Sequence, residues 1–126
     1  MIKGIGVDII EIERVKKAIQ RHPQFQVRVF TSSEQDYCLS KANPFLHFAV
    51  RFAAKEAILK AIGTGFRGVE WTDLEICRDK LGKPFVKFFG GAAKKLKEYE
   101  IGDVLISLSF CHHSAIASAV AIKLEE

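Results

Sequence analysis

Cysteine is scarce in this sequence, and long apolar runs are absent. The three cysteines, Cys38, Cys77 and Cys111, are odd in number and widely spaced, so neither a disulfide framework nor a C-x-x-C pair is predicted. No stretch reaches the roughly eighteen apolar residues that a membrane-spanning helix needs. The N-terminal segment is interrupted by Asp8 and lacks the long apolar core of a signal peptide. We therefore expect reduced thiols, no membrane partner and a cytoplasmic location.

Acidic residues are in the minority. Lys and Arg number 19 and Asp and Glu number 15, giving a net charge of +4. This balance favours acidic partners, which include nucleic acid, phosphorylated small molecules and acidic proteins. Because no tail or low-complexity tract carries the basic residues, nonspecific nucleic-acid binding is disfavoured. The length of 126 residues, without a linker or repeat, predicts a single domain over 1–126.

Hydrophobic periodicity predicts an α+β fold, in which a mostly antiparallel sheet packs against one long helix. Asn43 and Pro44 form a favourable helix start, the helical pattern covers 45–62, and Gly63 and Gly65 end it. The other predicted elements are a strand at 2–10, a helix carrying Ile12, Val15 and Ile19, a short helix after a capping box at Thr31–Glu34 or Ser32–Gln35, a hairpin between 74 and 89, a short helix at 92–99 and strands at 104–110 and 115–122.

The last of these strands has an unusual composition. One of its faces consists of alanines only, namely Ala115, Ala117, Ala119 and Ala121. Small side chains allow close approach, so we expect this face to contact another element of the chain or another subunit.

A carboxylate interrupts the first strand at Asp8, between Val7 and Ile9. Burial of a carboxylate is costly unless the group is paired or holds a cation. One interpretation is a metal ligand. The other is that Asp8 caps the helix beginning near Glu11.

The long helix carries Glu56 and Lys60 at a spacing of four residues, on one face. Such a pair is most often a solvated surface pair. The functional interpretation is that Glu56 binds a metal ion while Lys60 contacts a phosphate, with Arg51 as a second phosphate contact. Two carboxylates together with substrate phosphate and water form a ligand set that magnesium accepts.

Near the C-terminus, Cys111, His112 and His113 raise the question of zinc. Their spacing fits no standard zinc motif, and neighbouring residues of a strand point to opposite sides. We therefore favour His112 as a hydrogen-bond donor to a phosphate or ribose. A turn histidine without a functional role is the alternative. The sequence contains neither a G-x-x-x-x-G-K-[ST] loop nor a G-x-G-x-x-G fingerprint.

Taken together, these segments resemble the small bacterial-type holo-acyl-carrier-protein synthases of the 4'-phosphopantetheinyl transferase superfamily. The resemblance runs nearly end to end, and the early G-x-D combined with the later F-A-A-K-E-A-x-x-K-A is highly specific. The matching segments are GIGVDIIEIERV at 4–15, FTSSEQDY at 30–37, RFAAKEAILKAIGTG at 51–65, GKP at 82–84 and SLSFCHHSAIASAVA at 107–121.

This resemblance implies a phosphopantetheinyl transferase fold and a magnesium-dependent transfer of 4'-phosphopantetheine from coenzyme A to a serine of an acyl carrier protein, in support of fatty acid biosynthesis. It also implies a homotrimer with sites between subunits. The implied residues are Asp8 and Glu56 for magnesium, Glu56 and Lys60 for catalysis, Arg51, Lys60, Lys83, Pro84 and His112 for coenzyme A, and Arg14 on the first helix for the carrier.

Lys17 and Arg21 share the helix face of Arg14, so we extend the expected carrier contact to these two residues. The chain departs from the family pattern at His113, where Thr or Ser is common, and at Ile116, which replaces a common Tyr. These departures affect the expected coenzyme A contacts. The alternatives are a basic nucleic-acid-binding module, disfavoured because the phenylalanines occupy core-type positions, and a magnesium-dependent phosphohydrolase using the same carboxylates.

Overall fold

Residues 1–125 are described by the computed structural model. In chain order its elements are β1 (Ile2–Glu11), α1 (Ile12–Arg21), α2 (Pro23–Val29), α3 (Ser32–Leu39), α4 (Pro44–Ile62), a 3₁₀ turn (Trp71–Asp73), β2 (Leu74–Arg78), β3 (Pro84–Phe88), α5 (Gly90–Glu98), β4 (Ile101–Phe110) and β5 (Ser114–Lys123). None of the helices in this part of the chain is long and apolar enough to cross a bilayer.

The strands form two antiparallel sheets. The larger sheet has the order β1-β5-β4, and the hairpin β2-β3 pairs separately. In the larger sheet Asp8 lies opposite Ala117, and Glu11 opposite Ser114. The long helix α4 packs on one face of this sheet, and the predicted α+β architecture is thereby confirmed.

The ends of α4 follow from its local sequence. The Asn43 side chain accepts a hydrogen bond from the Leu46 amide (3.4 Å) with Pro44 at the first turn, and Gly63 ends the helix with a φ of 89°. Glycine adopts this left-handed conformation without the steric penalty of a Cβ atom. Both predicted boundary signals are confirmed.

The alanine face of β5 is used within the chain. Ala115, Ala117, Ala119 and Ala121 are all buried, and β5 is in contact with α4. The expectation that this face contacts another element is therefore confirmed, and the expectation that it offers a surface to another subunit is wrong. The opposite face of the sheet remains exposed and apolar instead, with Ile5, Val7, Ile9, Leu105 and Ile116 among its residues.

Two glycines allow α4 to lie unusually close to β1. A methyl group added at Gly4 would overlap the carbonyl oxygen of Ala61, and one added at Gly6 would overlap that of Ala57. Because side chains alternate along a strand, Gly4, Gly6 and Asp8 share the face of β1 that meets α4. The glycines therefore bring the backbone of the helix to the strand just before Asp8.

Two local predictions need correction. The helix α2 was not predicted, because its seven residues are too few to show a helical period, although Pro23 occupies its first turn. Of the two possible capping boxes, only Thr31–Glu34 forms. The Gln35 side chain instead donates a hydrogen bond to the Phe30 carbonyl oxygen (2.9 Å).

Gly6→Ala should destabilise the protein by about 1–3 kcal/mol, because the added methyl group forces α4 away from β1. Chemical denaturation measures this loss. Gly82→Ala serves as the control: its φ of 86° makes alanine strained there, but no atom lies within 4 Å of the added methyl group. A Gly6→Ala protein with parental stability would show that the close contact is not required.

Candidate active site

Asp8 lies on β1, on the side facing α4, with its side chain only 17% exposed. It does not cap the first helix, whose N-cap is Glu11 without a side-chain hydrogen bond. The capping interpretation of Asp8 is therefore wrong. The carboxylate is held next to the long helix instead.

Lys60 reaches β1 from the last turn of α4. Its ammonium donates to the Asp8 Oδ1 atom at 3.2 Å and to the Val7 carbonyl oxygen at 3.0 Å, while about half of the side chain (53%) stays exposed. Within residues 1–125 no salt bridge joins Lys60 to Glu56. The interpretation of Glu56 and Lys60 as a simple surface pair is therefore wrong, since Lys60 pairs with Asp8 instead.

Glu56 lies one helical turn before Lys60 and is partly buried. Burial raises the pKa of its carboxyl group, the negative charge of Asp8 raises this pKa further, and the Lys60 ammonium lowers it. Lys60 lies one turn from Glu56 on the same face of α4 and bonds Asp8, so both carboxylates lie near the same ammonium group. A divalent cation between the two carboxylates would remove the repulsion between their charges.

The donor set suits a hard cation with few protein ligands. Magnesium prefers oxygen ligands and usually keeps several water molecules, so two carboxylates and substrate phosphates are sufficient. Within residues 1–125, no cluster of three or more His, Cys, Asp or Glu side chains has metal-binding geometry. This finding gives no support to zinc at Cys111, His112 and His113. It is compatible with magnesium at Asp8 and Glu56.

The structure places Arg51 away from Glu56. Arg51 is 2% exposed, its guanidinium stacks 4.2 Å from the Tyr37 ring centroid, and it donates to the His47 carbonyl oxygen at 3.5 Å. Its Nε atom is buried without a hydrogen-bond partner. Arg51 lines a cleft of about 190 Å³ with Glu75 and Arg78, among other residues. Arg51 and the Asp8 carboxylate therefore belong to different surfaces of the chain.

Lys83 and Pro84 lie at the start of β3. They line a second cleft, of about 390 Å³, together with β4 residues such as Leu105. Strand β5 separates β4 from β1. The two outer strands are thus roughly 10 Å apart. The cleft at Lys83 and the Asp8 site consequently flank opposite edges of the sheet.

His112 lies in the exposed turn between β4 and β5. Its ring meets that of His113 edge-on at 4.8 Å. The Ile12 amide donates to the His113 carbonyl oxygen at 2.9 Å, which joins this turn to the start of α1. His112 therefore lies at the β1 side of the sheet, near the end of the strand that carries Asp8.

The first helix has a cationic outer face. Arg14, Lys17 and Arg21 are exposed, whereas Val15 is buried at 1% exposure. The predicted amphipathic helix is confirmed, and the predicted cationic side chains share its solvent-facing side.

Two buried charges form an ion pair that the sequence did not indicate, since Glu34 was expected only as part of a capping box and Lys55 had no predicted role. Lys55 and Glu34 are fully buried and form an ion pair at 2.7 Å. The available signal was a lysine that directly follows two alanines, Ala53 and Ala54, in the long helix. Lys55 lies beside Glu56 in the sequence, but the two side chains leave α4 in different directions.

Both the sequence and the fold of this chain match those of known proteins. The profile of the 4'-phosphopantetheinyl transferase superfamily matches residues 4–118. The chain is 52% identical to the holo-[acyl-carrier-protein] synthase of Clostridium tetani, over 97% of this chain and 95% of that protein. The crystal structure of the holo-[acyl-carrier-protein] synthase from Neisseria meningitidis superposes on this chain with a TM-score of 0.91. The two sequences are 38% identical, and the match covers 98% of this chain and 100% of that chain. The holo-[acyl-carrier-protein] synthase of Helicobacter pylori, solved in complex with coenzyme A, is 28% identical to this chain and superposes with a TM-score of 0.81. The match covers 93% of this chain and 98% of that chain.

Asp8→Asn should lower the pKa of Glu56, because a neighbouring negative charge is removed, while burial still keeps this pKa above its ordinary value. Lys60→Met should shift the same pKa upward, because it removes the ammonium group that lowers it. Carboxyl chemical shifts of ¹³C-labelled glutamate, followed during a pH titration, measure both changes. Identical Glu56 titration curves in the parent and the two variants would contradict this arrangement of charges.

Proposed function

This chain belongs to the 4'-phosphopantetheinyl transferase superfamily, and we propose that it transfers 4'-phosphopantetheine from coenzyme A to a serine of an apo acyl carrier protein. The products are the holo carrier protein and adenosine 3',5'-bisphosphate, and the reaction supports fatty acid biosynthesis in the cytoplasm. The observation that carries the proposal is the meeting of Asp8, Glu56 and Lys60 at the contact between β1 and α4. The superfamily match covers almost the whole chain.

We assign Asp8 and Glu56 as the protein ligands of a magnesium ion. When bound, the ion neutralises negative charge on the pyrophosphate of coenzyme A during phosphoryl transfer. Glu56 must be ionised to serve as a ligand. Because its pKa is raised, cation binding weakens as the pH falls through that raised value.

Glu56 and Lys60 act on the proton and the negative charge that the transfer step moves. The serine oxygen of the carrier attacks the β-phosphorus, a new P–O bond forms, and the bond to the oxygen of the leaving adenosine bisphosphate breaks. Glu56, or a water molecule that it orients, accepts the serine proton. The partly exposed Lys60 ammonium neutralises the charge of the leaving phosphate.

Coenzyme A contacts are proposed at Arg51, Lys60, Lys83, Pro84 and His112. Lys83 and the Asp8 carboxylate flank opposite edges of one sheet. We infer that a second copy of the chain brings its Lys83 cleft next to the Asp8 site, so that one molecule of coenzyme A contacts both chains. The exposed apolar face of the sheet supports such an assembly, since Ile5 and Ile9 are 72% and 66% exposed. We propose a homotrimer that uses this face, with sites between subunits.

The acidic carrier is proposed to dock on α1. Arg14, Lys17 and Arg21 present positive charge next to the β1–α4 contact, since α1 follows β1 directly. Charge complementarity of this kind steers encounter and fixes orientation.

Asp8→Ala and Glu56→Ala should each lower kcat/KM for transfer by roughly 100-fold, because each removes one of two protein charges on the cation. The assay incubates apo carrier protein with coenzyme A, with and without magnesium, and follows the carrier by mass spectrometry. Glu98→Ala is the matched control, because this carboxylate on α5 is 59% exposed and pairs with Lys95.

A magnesium-dependent mass gain on the carrier supports the proposed transfer. Hydrolysis of coenzyme A without a mass gain would identify a phosphohydrolase. If Asp8→Ala keeps near-parental turnover at limiting magnesium, Asp8 is not a ligand of the metal ion.

Arg14→Glu should raise KM for the carrier protein about tenfold and leave KM for coenzyme A nearly unchanged, because it replaces attraction by repulsion on α1. Salt screens such contacts, so raising the ionic strength should weaken carrier binding more in the parent than in the variant. Steady-state kinetics at two salt concentrations measure both effects. Lys94→Glu makes the same charge change on α5 and should leave both KM values near those of the parent. An unchanged KM for the carrier protein in Arg14→Glu would show that this face of α1 does not bind the carrier and is only a solvated surface.

A further inference from the structure

Lys55 is anchored at every donor position of its ammonium group. It donates to the Glu34 Oε1 atom at 2.7 Å, to the Val29 carbonyl oxygen at 2.7 Å and to the Trp71 carbonyl oxygen at 3.2 Å. An ammonium group has three donors, so none is left unsatisfied. Lys55 thereby ties α4 to the end of α2, to α3 and to the 3₁₀ turn.

Glu34 is satisfied equally well. Its Oε1 atom accepts from the Thr31 amide, and its Oε2 atom accepts from the Ile76 amide on β2, both at 2.9 Å. Both side chains of the pair are 0% exposed. The pair is therefore a rigid link between α4 and the helical and hairpin side of the molecule.

The position of this link along α4 is informative. Successive residues of a helix are rotated by roughly 100°, so Lys55 projects on one side of Glu56 and Ala57 on the other. Ala57 is the residue whose carbonyl oxygen meets Gly6 of β1. Glu56 consequently lies on the face of α4 between two fixed contacts. One is the Lys55–Glu34 ion pair, and the other is the contact between Ala57 and Gly6.

We propose that Lys55 and Glu34 are positioning residues, which fix the rotation of α4 so that Glu56 faces Asp8. This inference rests on the proposed role of Glu56 as a metal ligand. A buried ion pair is weak evidence for stability alone, because apolar residues of similar volume often replace one without loss. The geometry supports positioning instead, because the same pair bonds backbone groups at the end of α2, in the 3₁₀ turn and on β2 and so fixes α4 relative to all three.

The test uses Mn²⁺ as the probe of the metal site, in the presence of coenzyme A, with affinity measured by water-proton relaxation. The double variant Glu34→Gln/Lys55→Met keeps the volume and removes both charges. We expect it to fold with a lowered unfolding temperature, because the Val29 and Trp71 carbonyl oxygens lose their donor. It should bind Mn²⁺ roughly tenfold more weakly and show a raised KM for magnesium with an unchanged KM for the carrier.

Glu34→Asp supplies a second variant that keeps the charges and shortens the link by one methylene group. It should also bind Mn²⁺ more weakly than the parent. Leu74→Ala is the control for general loosening, because Leu74 is fully buried on β2 and its side chain has no polar atom that could bond the ion pair. This control should lose stability and keep an affinity within about twofold of the parent.

Parental Mn²⁺ affinity in either folded Glu34 variant would overturn the positioning role, as would an equal loss of affinity in Leu74→Ala. Failure of the proposed function gives a different result. In that case the parent itself would lack Mn²⁺ binding that depends on Asp8, and the positioning role would fall with it.

Discussion

Gly4 and Gly6 let the carbonyl oxygens of α4 lie directly against β1, because neither residue has a side chain to fill that space. The next residue on the same face of the strand is Asp8. A helix held at the usual distance by side chains would carry Lys60 away from this carboxylate. The close contact instead allows the Lys60 ammonium to reach both Asp8 and the backbone of β1. Strand and helix thus supply one charged site without an intervening loop.

The helix α4 shows how burial decides the role of a charged side chain. Lys55 and Lys60 are five residues apart, but Lys55 is fully buried among fixed acceptors whereas Lys60 is largely exposed beside Asp8. A buried and fully paired ammonium is immobile and suited to holding elements together. An exposed ammonium with a single carboxylate partner can exchange that partner for a phosphate. The same residue type therefore serves as an anchor at one position and as a candidate substrate contact at the other.

Much of this fold was predictable from local signals, since strand alternation, the Asn43–Pro44 helix start and the glycine at position 63 are all short-range features. The contact between Asp8 and Lys60 of α4 was harder to predict from the sequence, because it depends on which element packs against β1. Specific family motifs indicated it, and the structure brings the residues together. Helical spacing suggested that Glu56 and Lys60 pair with each other, whereas Lys60 bonds Asp8 across the contact. The burial of Arg51 could not be predicted either, because spacing along a helix does not reveal what lies opposite.

We propose that β1 and α4 hold one divalent cation between Asp8 and Glu56 when coenzyme A is bound. A crystal grown with coenzyme A and Mn²⁺, recorded at the manganese absorption edge, locates that ion by its anomalous scattering. We expect a single peak per site that contacts a carboxylate oxygen of each residue and phosphate oxygens of coenzyme A, at distances near the roughly 2.1 Å of magnesium–oxygen bonds. A peak bound by other residues, or one that contacts only the phosphates, would contradict it.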